Sequence, residues 1–147
     1  MATSTPTVPR VFLDSSVFFA AAYSVTGSAH DLLLAAIQGR VSLVLSPYVL
    51  AETERNILKR APRAHPAFLR FCAALPYQLS QPPESLISDT ARVVVAKDAP
   101  VIAAARAARA MLVATYDRKH LLAQSALIEA TFGIIVATPE SVLAIIE

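Results

Sequence analysis

KDAPVIAAARAARAMLVATYDRKHL, residues 97–121, decides the architecture of this chain. Its apolar residues recur at helical spacing beside Arg106 and Arg109, which predicts an amphipathic helix opening at Asp98 and running through Ala110. Met111 to Thr115 then reads as a strand, with Asp117 just beyond it. The same grammar recurs upstream. Residues 10–13 form a short apolar strand that ends at Asp14, and residues 41–45 form a buried strand. After it, Ser46 is a good N-cap and Pro47 a good first helical residue, with Val49, Leu50, Ile57 and Leu58 continuing at helical spacing. Residues 134–136 supply a last strand, and Thr138, Pro139 and Glu140 open a last helix. Strands alternating with helices predict an α/β domain in three layers, a central parallel sheet flanked by helices.

The remaining elements follow from local signals. Ser28 with Asp31 resembles a capping box, and Leu32, Leu33, Ala36 and Ile37 give its helix an apolar face ending near Gly39. Pro62 and Pro66 stop the helix that began at Pro47, a shorter helix covers residues 68–75, and a strand covers 77–80 before the Pro82-Pro83 turn. Residues 86–97 carry no decisive pattern. Residues 1–9, rich in Thr, Ser, Pro and Ala, are expected to form a disordered lead-in, which leaves 10–147 as one domain.

Composition narrows the class. A chain of 147 residues suits a single core. An apolar fraction of 55% is high enough to predict that some apolar surface closes against a second copy, as in a homodimer. Cys72 stands alone, so no internal disulfide forms, in keeping with the expected cytoplasmic location. Asp14 interrupts the first apolar run and two arginines interrupt the Ala-rich one, which argues against a signal peptide and against a membrane span. A net charge of +2 is too small to argue nucleic-acid binding by itself.

Four acids carry the chemistry: Asp14, Glu52, Asp98 and Asp117. Each has a plain structural explanation. Asp14 and Asp98 suit helix N-termini, Glu52 is placed to pair with Arg55 three residues on, and Asp117 suits a turn. Jointly they fall where an open parallel sheet gathers its active site, beyond the carboxyl ends of the strands. At an effective dielectric of ~20, two unit charges about 4 Å apart repel by roughly 4 kcal/mol, so converged carboxylates call for a cation. Oxygen ligands alone suit Mg²⁺ or Mn²⁺. His30, His65 and His120 are scattered and Cys72 has no partner, which argues against zinc.

RVFLDSSVFFAA, SPYVLAETERNIL, KDAPVIAAARAARAMLVATYDRKHL and IIVATPESVL together resemble, in order, the successive blocks of the PIN-domain ribonucleases, the family that includes VapC-like toxins. The third block, an Asp followed by an Ala-rich helix, a strand and Thr-x-Asp, is the most specific. The resemblance implies a PIN-like nuclease domain over 10–147, with Asp14, Glu52, Asp98 and Asp117 as the catalytic and metal-binding acids and Thr115 as a supporting hydrogen-bonding residue. It also implies one or two Mg²⁺ or Mn²⁺ ions, hydrolysis of RNA to a 5′-phosphate and a 3′-hydroxyl, and an antitoxin protein as partner where the chain is a toxin. Some relatives carry a further acid shortly after the one matching Asp117; here Arg118, Lys119 and His120 stand there, which puts a second ion in doubt.

Arg118 and Lys119 are placed to touch substrate phosphates, although a solvated turn explains them equally well. Arg55, with Lys59 and Arg63 at four-residue spacing, offers a track for an RNA backbone, against the commoner reading of a solvated face. Glu54 points away from Glu52 on a helix. Ser15 and Ser16 read as helix-capping residues, since nothing nearby in sequence would activate them as nucleophiles. Two other readings compete: a non-catalytic PIN-like RNA-binding module, and an Asp14-nucleophile phosphatase. The second Asp that a phosphatase of that type wants is replaced by Ser16.

Overall fold

A strand whose successive side chains are all buried must be covered on both faces. The computed structural model, which describes residues 8–147, has five strands, and three of them carry three buried side chains in succession. The strands are β1 (Arg10–Leu13), β2 (Ser42–Leu45), β3 (Tyr77–Leu79), β4 (Leu112–Ala114) and β5 (Ile135–Ala137). All pairings are parallel, in the order β3-β2-β1-β4-β5. Phe12 at the centre pairs with Val44 on one side and Val113 on the other, and Val11, Phe12 and Leu13 are completely buried.

Among the described residues seven α-helices lie between the strands and an eighth follows β5: α1 (Ser15–Tyr23), α2 (Ser28–Ile37), α3 (Pro47–Arg60), α4 (His65–Ala74), α5 (Glu84–Thr90), α6 (Ala99–Ala107), α7 (Ser125–Phe132) and α8 (Pro139–Ile146). α1 packs on α2, α3 and α4, and α8 returns against α2, whereas α5 packs on α6. Right-handed crossovers put the connections of β1 to β2 to β3 on one face and those of β3 to β4 to β5 on the other. The result is the three-layer α/β domain expected. No single described helix is long and apolar enough to cross a membrane; α1 and α2 together reach that length, but they meet at 94° and contribute Phe18, Leu32 and Leu33 to the core.

The expected caps form at Ser46, whose Oγ accepts from Val49 N at 3.1 Å, and at Thr138, whose Oγ1 accepts from Ser141 N at 3.4 Å. Ser28 and Asp31 do not form a capping box. Gly27, at φ +110°, is the N-cap there, and its carbonyl accepts from Asp31 N. The helix expected over Asp98 to Ala110 is shorter at both ends. Asp98 closes a 3-10 turn, Ala96–Asp98, and α6 stops at Ala107. Beyond it Arg109 turns left-handed at φ +56° and Ala110 N bonds back to Ala105 O, a helix-ending arrangement normally built on glycine. The stretch that carried no pattern begins inside α5, which ends at Thr90, and finishes in the 3-10 turn Ala96–Asp98. α7 was not anticipated at all; it is short, and only Ile128 in it is buried. Of the expected lead-in, residues 1–7 lie outside the described residues, and the Pro9 carbonyl accepts from Ser42 N at 2.8 Å.

Candidate active site

The strand order reverses at β1, which has β2 on one side and β4 on the other, so a crevice opens beyond the carboxyl ends of these strands. Asp14 is the first residue past β1, and its N–H donates to Ala114 O at 3.0 Å, tying it to the end of β4. Glu52 stands in the second turn of α3, the helix that leaves β2 through the Ser46 cap and Pro47. Asp98 comes from the 3-10 turn before α6, and Asp117 from the turn after β4. The four acids line one cavity of about 230 Å³ together with Ser15, Ser16, Tyr48, Lys97, Val101 and Leu121. A larger cavity of about 620 Å³ lies elsewhere, between the ends of α1 and α3, and contains none of these acids.

Each carboxylate has one oxygen held by a donor. Asp14 Oδ2 accepts from Thr115 Oγ1 at 2.8 Å and Ser16 Oγ at 2.9 Å. Glu52 Oε1 accepts from Ser15 Oγ, Asp98 Oδ2 from Gln124 Nε2 at 3.0 Å, and Asp117 Oδ1 from His120 N at 3.2 Å. Thr115 Oγ1 also accepts from Asp117 N at 3.0 Å, so one buried hydroxyl links the acids that follow β1 and β4. Burial raises the Asp14 carboxyl above its ordinary value, and the negative charge of Glu52 adds to this; the bonds from Thr115, Ser16 and the Ser15 N–H oppose it. Burial and Glu52 likewise push the Tyr48 phenol up. Among the described residues, no three His, Cys, Asp or Glu side chains are grouped closely enough to chelate an ion. The acids ring the cavity instead. Their side chains offer oxygen donors only, the chemistry that hard cations take.

A family model described as a PIN domain matches residues 10–119, a stretch that contains all four acids. The chain belongs to the PIN-domain family. The fold agrees with this PIN domain's neighbours among solved structures. PAE2754 from Pyrobaculum aerophilum aligns at a TM-score of 0.62 with 17% identity, covering 94% of this chain and 95% of that one. VapBC2 from Rickettsia felis, solved bound to a DNA fragment from its promoter, aligns at 0.61 with 17% identity over 86% of this chain and 96% of that one. VapC20 from Mycobacterium tuberculosis, described as a toxin cleaving the sarcin-ricin loop, aligns at 0.51 with 17% identity over 83% and 95%. No match was found among curated proteins.

Several plain explanations give way in this PIN domain. Asp14 and Asp98 occupy helix N-cap positions, yet neither side chain caps its helix. Ser15 and Ser16 do not cap α1; they hold Glu52 and Asp14, and Ser16 Oγ also accepts from Tyr116 N at 3.0 Å. Glu52 makes no ion pair with Arg55, while Glu54 turns to His65 at 2.9 Å. Asp117 is a turn residue as well as a lining residue of the cavity. Arg55, Arg118 and Lys119 are exposed and lie outside the cavity lining, and α3 ends at Arg60, before Arg63, which breaks the basic track and agrees with the commoner reading of a solvated face. Tyr48, Lys97 and Gln124 escaped the sequence reading. Tyr48 precedes Glu52 by one helical turn and Lys97 adjoins Asp98, so both were findable; no local signal marks Gln124.

Proposed function

We propose that this chain is a metal-dependent endoribonuclease that hydrolyses RNA phosphodiester bonds, acting as the toxin of a type II toxin-antitoxin pair. The observation that carries the proposal is the convergence of Asp14, Glu52, Asp98 and Asp117 on one cavity at the switch point of the sheet, each with one oxygen pinned by a donor. Carboxylates held in this way are pre-organised oxygen ligands. They would hold Mg²⁺ or Mn²⁺, one ion or two, and when bound the cation supplies a Lewis acid that polarises a phosphoryl oxygen and acidifies a water.

The chain's own residues do the rest. Thr115 and Ser16 keep Asp14 oriented while burial works against its negative charge, a cost that a bound cation would offset. Glu52 is braced by Ser15 and stands beside the Tyr48 phenol, where it would orient an attacking water. Lys97, exposed at the rim, supplies the positive charge that draws a phosphate toward an otherwise acidic cleft. Arg118, Lys119 and Arg55 lie farther out and would meet flanking phosphates.

The VapBC2 neighbour supports an antitoxin protein as partner, and exposed Tyr23, Val25 and Met111 are apolar surface that such a partner or a second copy would cover. The deciding experiment incubates purified protein with a pool of structured RNAs and Mn²⁺ or Mg²⁺, against EDTA and Asp98→Asn controls. Cleavage lost in both controls, with the unfolding temperature of Asp98→Asn unchanged, is the expected result. Equal cleavage by the variant refutes the proposal, and metal binding without cleavage of any RNA would favour a non-catalytic RNA-binding module.

A further inference from the structure

Gln124 forms a three-way clamp behind the acidic cleft. It ends the 3-10 turn Leu122–Gln124 and is half-buried. Its Nε2 donates to Asp98 Oδ2 at 3.0 Å and to His120 O at 3.0 Å, while its Oε1 accepts from Val95 N at 2.9 Å. The amide orientation is settled by these partners, because a flipped group would set its NH₂ against the Val95 N–H and its oxygen against two acceptors. The partners belong to the two segments that carry acids on this side of the cleft. Val95 and Asp98 bracket the 3-10 turn Ala96–Asp98, and His120 is the residue whose N–H holds Asp117. One neutral side chain therefore spans the carrier of Asp98 and the carrier of Asp117.

Asp98 is 6% exposed, and Gln124 is the one donor to its carboxylate among the described residues. Asp14, by comparison, has two hydroxyl donors. We infer that Gln124 is a positioning residue that holds Oδ2 of Asp98 back and presents Oδ1 to a divalent cation, setting at the same time the distance from Asp98 to Asp117. This rests on the metal-dependent reading of the cleft. An amide suits the task better than an acid, since it supplies two N–H donors without placing a fifth negative charge beside the four. Groups that orient metal ligands from behind typically change metal affinity 10–100-fold when removed.

The test measures Mn²⁺ binding to the full chain by isothermal calorimetry, alongside thermal unfolding without metal, for wild type, Gln124→Met, Gln124→Asn and Asp98→Asn. Methionine keeps the length and removes every hydrogen bond; asparagine keeps the amide but falls short of Asp98. The expected outcome is Mn²⁺ binding about tenfold weaker in both Gln124 variants when folded, together with a lowered metal-free unfolding temperature, because Asp98 is 6% exposed and loses its one donor while water replaces only the bond at half-exposed Val95. A folded Gln124→Met that binds Mn²⁺ as wild type does overturns the inference. Should that variant not fold, wild-type affinity in Gln124→Asn overturns it equally. Asp98-dependent Mn²⁺ binding without RNA cleavage would sink the nuclease proposal while leaving the Gln124 inference standing if the Gln124 variants bind weakly; a wild type that binds no Mn²⁺ overturns both.

Discussion

Replacing Thr115 with valine keeps the shape and the β-branch and deletes one hydroxyl, which makes it a clean probe of the link between Asp14 and Asp117. The hydroxyl is completely buried, donates to Asp14 Oδ2 at 2.8 Å and accepts from Asp117 N at 3.0 Å. A hydrogen bond to a charged group contributes about 1.5–3 kcal/mol and an orphaned buried N–H costs about 1–3 kcal/mol. Ser16 remains as a second donor to Asp14 and Asp117 is only half-buried, so both losses fall at the low end, for a total of about 2–3 kcal/mol at neutral pH. The penalty also depends on pH. Burial holds the Asp14 carboxyl above 3.8, so the folded state binds its proton more tightly than the unfolded state does. The stability this contributes is fully present below 3.8 and is lost as pH rises through the folded value. Removing the Thr115 donor raises that folded value further. The charge-dependent share of the penalty is thus felt above the window and fades as pH falls toward 3.8, leaving about 1 kcal/mol from the Asp117 N–H. Urea unfolding of wild type and Thr115→Val across this pH range measures both parts. A penalty that does not vary with pH, or one below about 0.5 kcal/mol at neutral pH, refutes the reasoning.

Arg109→Gly should stabilise the fold by roughly 0.5–1 kcal/mol, because φ +56° is costly for arginine and free for glycine, less the extra freedom of glycine in the unfolded chain; a melting temperature that does not rise by a degree or more counts against it. If Arg118 and Lys119 meet RNA phosphates, their double substitution by alanine should make the dependence of log affinity on log salt shallower by about 1.4 for a single-stranded RNA, read by fluorescence anisotropy at several salt concentrations. An unchanged slope removes the pair from the path of the RNA.

Much of this molecule was legible residue by residue. The Ser46 cap with Pro47, the apolar run at Val11 to Leu13 and the Thr138 cap are local signals, and together they announced a parallel α/β sheet with acids at the ends of its strands. Boundaries drifted where a residue adopted an unlikely conformation, as at Arg109, or where helices were too short and too shallowly buried to leave a period, as in α5 and α7. What Asp14 does was beyond the reach of local reading, because its N-cap position explained it and the hydroxyl that turns it into the cleft arrives from Thr115, 101 residues away. Ser15 and Ser16 looked like caps for the same reason, and Gln124, 26 residues from Asp98, had nothing to mark it. Helical period and capping are set by neighbours along the chain, so the sequence by itself determined the order of the strands and the segments from which the four acids project. The direction in which a carboxylate presents its free oxygen depends on donors that the sheet register and the crossovers bring from remote segments, and that was decided only when the chain had closed on itself.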